Sequence, residues 1–306
     1  MNSHSDKDFH IINKKILACC LIIIAIGIIL IVVSQQTRVM PITNKITENI
    51  PSDNNTVNFI TMIEGKLNTI NASKNDLLFD ITITYDNNND PQFVDIQKKP
   101  ELSDFYKQVG FPNASKDIVY VYPIFTQGAY GYNGFYNYYD KKCGLGCLTV
   151  TIPSTFIPEY GASMTASIVL SDLNYSHITD VDIDKNPDIL KKFKKVIILH
   201  NEYVTKKEFD AITNHPNVLY LFPNALFAEV KTNYDNNTFT LIKGHGYPVP
   251  SIANGFNWKY DNSKSEYNTK CENMTFELIP NGKMLNCYPA YRTLFDKSLL
   301  EAIKEP

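Results

Sequence analysis

The chain has almost no net charge: 29 Lys and Arg stand against 32 Asp and Glu, a formal −3 over 306 residues. No basic stripe with interleaved aromatics breaks that balance, which argues against nucleic acid as a partner. There is no internal repeat. Tryptophan occurs once, at Trp258. Cysteine is sparse, with six in all. Cys19 and Cys20 fall inside an apolar run and read as apolar fillers. The other four are Cys143, Cys147, Cys271 and Cys287. A lone C-x3-C with a distant second pair is a poor match to zinc-ribbon spacing. An even number in an exported segment suggests disulfides instead. Three pairings are open. In one of them Cys143–Cys147 closes on itself through its two glycines, and Cys271–Cys287 then clips a C-terminal hairpin.

Ile16 to Val33 is an uncharged apolar run, long enough to cross a bilayer as a helix. Lys14 and Lys15 abut its start, which keeps that end in the cytoplasm. The alternative is a cleaved signal peptide, but the run continues into Ser34-Gln35-Gln36 without a small-residue cleavage site. An uncleaved single-pass anchor is therefore expected. The lipid bilayer is then a partner, and the bulk of the chain lies outside the cytoplasm. Acceptor sequons N-x-S/T stand at Asn54, Asn71, Asn113, Asn174, Asn236 and Asn273, consistent with an exported glycoprotein.

The expected organisation follows. Residues 1–15 are cytoplasmic, 16–33 span the membrane, and 34–56 form a polar, proline-containing stalk. Residues 57–116 are an accessory α/β segment in which Val57 to Ile70 reads as strand or stalk helix and Leu77 to Tyr85 as a strand. From residue 117 to 225 strands and helices alternate: strand Ile118–Phe125, helix Pro158–Leu173, strand Tyr175–Ile183, short helix Pro187–Phe193, strand Val196–Leu199, a helix ending at His215-Pro216, and strand Val218–Phe222. That alternation predicts an α/β fold with a parallel sheet and helices on both faces. Residues 226–306 form a β-rich extension with strands Phe227–Thr232 and Thr238–Lys243, a hairpin at Asn281-Gly282 and a closing helix Leu294–Ile303.

The chain centres on Lys195 to Asn224. A short β-rich strand stops at His200-Asn201-Glu202-Tyr203, and the carboxyl end of such a strand is where ligands bind in open α/β sheets. Thr205 with Glu208 predicts a capping box, and Val204 a staple onto Phe209. Glu202 is placed to serve as a metal ligand or general base, with His200 beside it. Their structural alternative is a carboxylate bonded to backbone amides and a packed histidine. Thr126 to Tyr139 carries five tyrosines and three glycines and fits neither period. It reads as a contact loop from which one tyrosine points into the sheet mouth. Gly244-His245-Gly246 is a turn whose glycines free His245. With His200 and Glu202 it makes a second candidate ligand set, for zinc.

Residues 178 to 212 resemble the core of the class I glutamine-amidotransferase-like fold. They are similar more narrowly to the C-terminal domain of the N,N-dimethylformamidase large subunit and to ThuA-like proteins. The similarity is carried by H-x-E-Y followed by Val204 and Thr205, and by Thr126-Gln127-Gly128-Ala129-Tyr130. It covers about residues 117–225. It implies a three-layer, flavodoxin-type sheet. It also implies a mononuclear iron held by two tyrosines and a glutamate and acting as a Lewis acid in amide hydrolysis. By motif Glu202 is the glutamate and Tyr130 the loop tyrosine. Tyr160, just before the first helix, takes the second phenolate by position. The Gly-x-Cys-x-Gly elbow of the amidotransferases is absent; Pro223-Asn224-Ala225-Leu226-Phe227 stands there. Cysteine-nucleophile catalysis is thereby excluded. A metal-dependent C–N hydrolase is expected, with a catalytically inactive surface-binding protein as the alternative.

Overall fold

The computed structural model describes residues 56–63, 66–85, 91–131, 133–154, 161–265, 273–289 and 291–305. The expected anchor at 16–33, Cys19, Cys20, Asn54, Tyr132, Tyr160 and Cys271 lie outside them. Among the described residues no helix is long and apolar enough to cross a membrane.

Two antiparallel hairpins come first, β1 (Thr56–Ile63) with β2 (Lys66–Ser73) and β3 (Phe79–Tyr85) with β4 (Pro91–Lys98). The Val57–Ile70 stretch is therefore a hairpin, not a helix. Next are α1 (Ser103–Val109), β5 (Ile118–Tyr122), α2 (Ile124–Tyr130), α3 (Tyr136–Tyr139), β6 (Thr149–Thr151), α4 (Gly161–Asp172), β7 (Ser176–Thr179) and α5 (Asp180–Lys185). After these come β8 (Lys195–Ile198), β9 (Tyr203–Thr205), α6 (Lys206–Thr213), β10 (Val218–Tyr220), β11 (Ala228–Asn233), β12 (Thr238–Lys243), β13 (Phe276–Ile279), β14 (Gly282–Leu285) and α7 (Lys297–Lys304).

The fold is mixed α/β around a six-stranded sheet in the order β13-β14-β10-β8-β5-β7. Every neighbouring pair from β14 to β7 is parallel, and β13 alone runs antiparallel. The hairpin around Asn281-Gly282 thus completes the central sheet from beyond residue 225. Alternation sorts the strands' side chains onto two faces. Ile118, Tyr120, Ile197, Leu199, Leu219 and Leu221 join one core with residues of α4 and α7. Val119, Val121, Val196, Ile198, Val218 and Tyr220 join another with Ile183, Ile212 and Leu226. Burial of both faces explains why these strands read as unbroken apolar runs. A second sheet, in the order β6-β12-β11-β9, packs against α2 over Phe125, Phe135 and Phe239.

Three local expectations change. The strand over Tyr175–Ile183 ends at Thr179, because Thr179 and Asp182 form a reciprocal capping box that starts α5; capping overrides the β-branched pattern there. The aperiodic Thr126–Tyr139 stretch contains two short helices. Pro123 ends β5, and the buried Asp180 carboxylate accepts the Phe125 N–H at 2.9 Å, tethering the start of α2. The glycines between the helices hide their period from the sequence. The third change is at α6, where half of the expected capping box forms. Thr205 Oγ1 accepts the Glu208 N–H at 3.2 Å. The Glu208 carboxylate is fully buried and accepts no hydrogen bond of normal geometry; the Thr205 backbone N–H is the one neighbouring donor that favours its charged form. Cys143 and Cys147 are bonded to each other. Cys287 is also disulfide-bonded.

Burial, then the charge of Asp180, pushes the Glu208 carboxyl well above its ordinary value. A raised folded-state value means that folding loses stability as pH rises from about 4.3, the unfolded glutamate value, toward the folded one. Glu208→Gln removes that titration. The expected result is a gain of about 1–2 kcal/mol at pH 7.5, the scale of an unsatisfied buried polar group, shrinking toward zero near pH 4. Denaturant titrations at the two pH values measure it, and equal stability of both proteins at pH 7.5 would contradict the buried, unpaired carboxylate.

Candidate functional site

Between β8 and β9 the chain crosses from the central sheet to the second one, and His200-Asn201-Glu202 is the crossing. Backbone bonds hold it on both sides. His200 N–H donates to Ser163 Oγ at 3.0 Å. Thr126 Oγ1 accepts from both Glu202 N–H, at 3.0 Å, and Tyr203 N–H, at 3.1 Å. Glu202 carbonyl accepts from Phe227 and Ala228 N–H, each at 2.9 Å. The first turn of α2 is thus bonded to the segment that carries the motif.

The Glu202 side chain is 1% exposed and sits among three groups. Tyr130, the last residue of α2, donates its hydroxyl to Oε2 at 2.7 Å. His200 Nε2 lies 3.2 Å from the same oxygen. His245 Nε2 contacts Oε1. His245 reaches it from a tight turn in which Gly244, His245 and Gly246 have φ of 127°, 52° and 75°. A Cβ at Gly244 would stand 2.8 Å from the Ala228 Cβ, so glycine is required there. Holding a histidine at positive φ costs about 1–3 kcal/mol. The His245 ring stacks on Tyr203 at 5.3 Å.

Burial pushes the Glu202 carboxyl upward, but the imidazoles of His245 and His200 outweigh it and hold the group well below the usual carboxylate range. It is therefore an anion at neutral pH. His200 stacks on Phe222 at 5.1 Å, and its Nε2 lies 2.7 Å from the Asn224 amide. One ring nitrogen cannot accept from an amide N–H while donating to a carboxylate. With the amide oxygen turned toward the ring, Nε2–H is shared by Asn224 and Glu202.

Half-buried tyrosines wall the site. Tyr136 packs on Tyr130 at 4.7 Å, and Tyr139 meets His245 edge-on at 6.2 Å. The Tyr139 hydroxyl is buried without a hydrogen-bond partner. Burial pushes it upward, with Tyr138 and then Glu202 adding to the shift, so it stays protonated.

The structure brings together Glu202, His200, His245 and Tyr130 of the residues singled out from the sequence. Tyr160 lies outside the described residues. Among the described residues no group of three or more His, Cys, Asp or Glu side chains is arranged to hold a metal ion. The residues of the alternative zinc set, His200, Glu202 and His245, do come together, with the two imidazoles against opposite carboxylate oxygens. Asn224 was visible in the sequence only as the residue replacing a cysteine elbow. Thr126 and Ser163 carry no sequence signal, since a hydroxyl that accepts backbone N–H across more than thirty residues obeys no local rule. No protein-family model matches this sequence, and a comparison with curated proteins finds no match.

Removing one partner of a buried ion pair costs about 3–5 kcal/mol. Glu202→Gln is therefore expected to lower the melting temperature by roughly 10 °C at pH 7. Because the folded value is depressed, this contribution is complete above about pH 4.3 and fades as pH falls through the folded value. The gap between variant and wild type should narrow only below about pH 4. Calorimetry across pH 3–8 tests it, and an undiminished melting temperature at pH 7 would show that the histidines do not hold the carboxylate.

Proposed function

We propose that the Glu202 pocket belongs to a metal-assisted hydrolase of amide C–N bonds, of the kind the dimethylformamidase-like, amidotransferase-type resemblance implies. We place it on an exported chain anchored through Ile16–Val33. The supporting observation is the Tyr130 hydroxyl 2.7 Å from Glu202 Oε2. Two oxygens side by side on one ion at about 2.0 Å bond length stand about 2.8 Å apart. The pair thus fits adjacent positions on a small hard cation with little movement. Phenolate and carboxylate oxygens suit ferric iron better than a soft metal, and Tyr160 would complete the set.

When bound, iron would supply Lewis-acid polarisation of a carbonyl or activation of water. The chain's own residues do the rest. His245 and His200 keep Glu202 anionic, and Asn224 orients His200. Thr126 fixes the backbone of Glu202 and Tyr203. The aromatic rings of Tyr130, Tyr136, Tyr139 and Phe222 shield the carboxylate from bulk water, which strengthens each of these interactions.

Full-length protein purified in detergent after iron-replete expression is expected to carry about one iron per chain, with a visible tyrosinate-to-iron absorption band. Tyr130→Phe should weaken the band and Glu202→Gln abolish it. Iron-free wild-type protein from such a preparation would sink the reading.

The exported placement has its own test. Asn71, Asn113, Asn236 and Asn273 are exposed, whereas Asn174 Nδ2, the atom a glycan would occupy, donates to the Phe111 carbonyl at 2.7 Å. In a glycosylating host, peptide mass spectrometry should find glycans at the four exposed sequons and none at Asn174. A chain unmodified at all four would contradict export.

A further inference from the structure

The Tyr139 side chain is half-buried, yet its hydroxyl oxygen is shut off from solvent and has no hydrogen-bond partner. The phenol therefore points inward with its ring edge partly open. A buried donor without an acceptor is unfavourable for folding, and phenylalanine would fill the same space without that penalty. The unused donor needs an explanation. Its position supplies one, because the ring lies edge-on to His245 at 6.2 Å, and His245 contacts the Glu202 carboxylate. Tyr136, 5.9 Å from Tyr139 ring to ring, links it to Tyr130 on the other side of the pocket. The groups that touch the carboxylate are occupied by it, Tyr130 and His200 on Oε2 and His245 on Oε1, whereas the Tyr203 hydroxyl, like that of Tyr139, is buried without a hydrogen-bond partner.

We infer that Tyr139 is a catalytic hydrogen-bond donor whose hydroxyl receives the carbonyl oxygen of an amide substrate. The inference rests on the C–N hydrolase reading of the pocket. As water adds to the amide carbon a carbon–oxygen bond forms and the carbonyl π pair moves onto oxygen. The Tyr139 O–H stabilises that oxygen and keeps its own proton. The pair then returns, the C–N bond breaks, and nitrogen takes both protons of the added water, one as it leaves and the second from the carboxylic acid so formed. The products are a carboxylate and an ammonium ion, with no oxidant or other co-reactant. A fixed donor among buried groups acts more strongly on developing charge than the same group in solution.

The experiment compares full-length wild type with Tyr139→Phe in detergent, both iron-replete. The probe is N-methyltrifluoroacetamide, followed by fluorine NMR for its binding and its cleavage to trifluoroacetate. The expected variant has an unchanged or higher melting temperature, an unaltered iron absorption band, and cleavage reduced about 100-fold, the usual loss for one such donor. Undiminished cleavage with the band intact overturns the inference and leaves the metal-site reading standing. A lower melting temperature overturns it too, because the hydroxyl would then have a structural partner. Loss of the band overturns it by making Tyr139 a ligand. Wild type that takes up no iron and leaves the amide intact removes both.

Discussion

A single buried anion governs this structure. Glu202 is withdrawn from water almost completely, and a lone carboxylate there would take up a proton. It stays charged because two imidazoles lie against its two oxygens and a phenol donates to one of them. Those three groups come from separated parts of the chain: the strand end itself, the turn after β12, and the end of α2. Much of the architecture around the crossing from β8 to β9 serves to bring them together. Thr126 bonds α2 to the crossing, Asp180 tethers the start of α2, and the paired glycines let His245 adopt a conformation that other sequences resist.

The same fold contains the opposite solution a few residues away. Glu208 is as deeply buried as Glu202, with acidic neighbours and no imidazole, and its carboxyl is driven toward the neutral form. The two glutamates differ in partner chemistry, not in burial. That contrast marks Glu202 as the group for which a charge is being maintained. A maintained charge in a closed aromatic pocket is what a ligand, a proton acceptor or a metal site requires. Asp180 has a third arrangement, in which backbone N–H groups take up its oxygens and the role is structural.

The strands of the central sheet were legible because burial on both faces leaves apolar runs that no exposed element carries. The end of β8 was legible because polarity switches on abruptly at His200. The helix after it was legible through Thr205. The two helices after β5 were not, since glycines and tyrosines erase a 3.6-residue period over so short a span. The switch from strand to helix at Thr179 was also missed, because Thr179 and Asp182 decide it by hydrogen bonds that a hydrophobicity pattern does not register. The Asn281-Gly282 hairpin was readable as a hairpin, but its membership of the central sheet was not, because pairing over more than sixty residues leaves no local trace.

By itself the sequence determined the mixed α/β class, the parallel sheet and the strand end that carries Glu202, all consequences of short-range patterns: alternation, capping and the placement of polar breaks. Only the tertiary structure decided what Glu202 meets. Tyr130, 72 residues earlier in the chain, donates to one oxygen, and His245 contacts the other. The physical reason is that the charge of a buried carboxylate depends on the few ångströms of surroundings that burial leaves it, and the fold fills that space from remote parts of the chain.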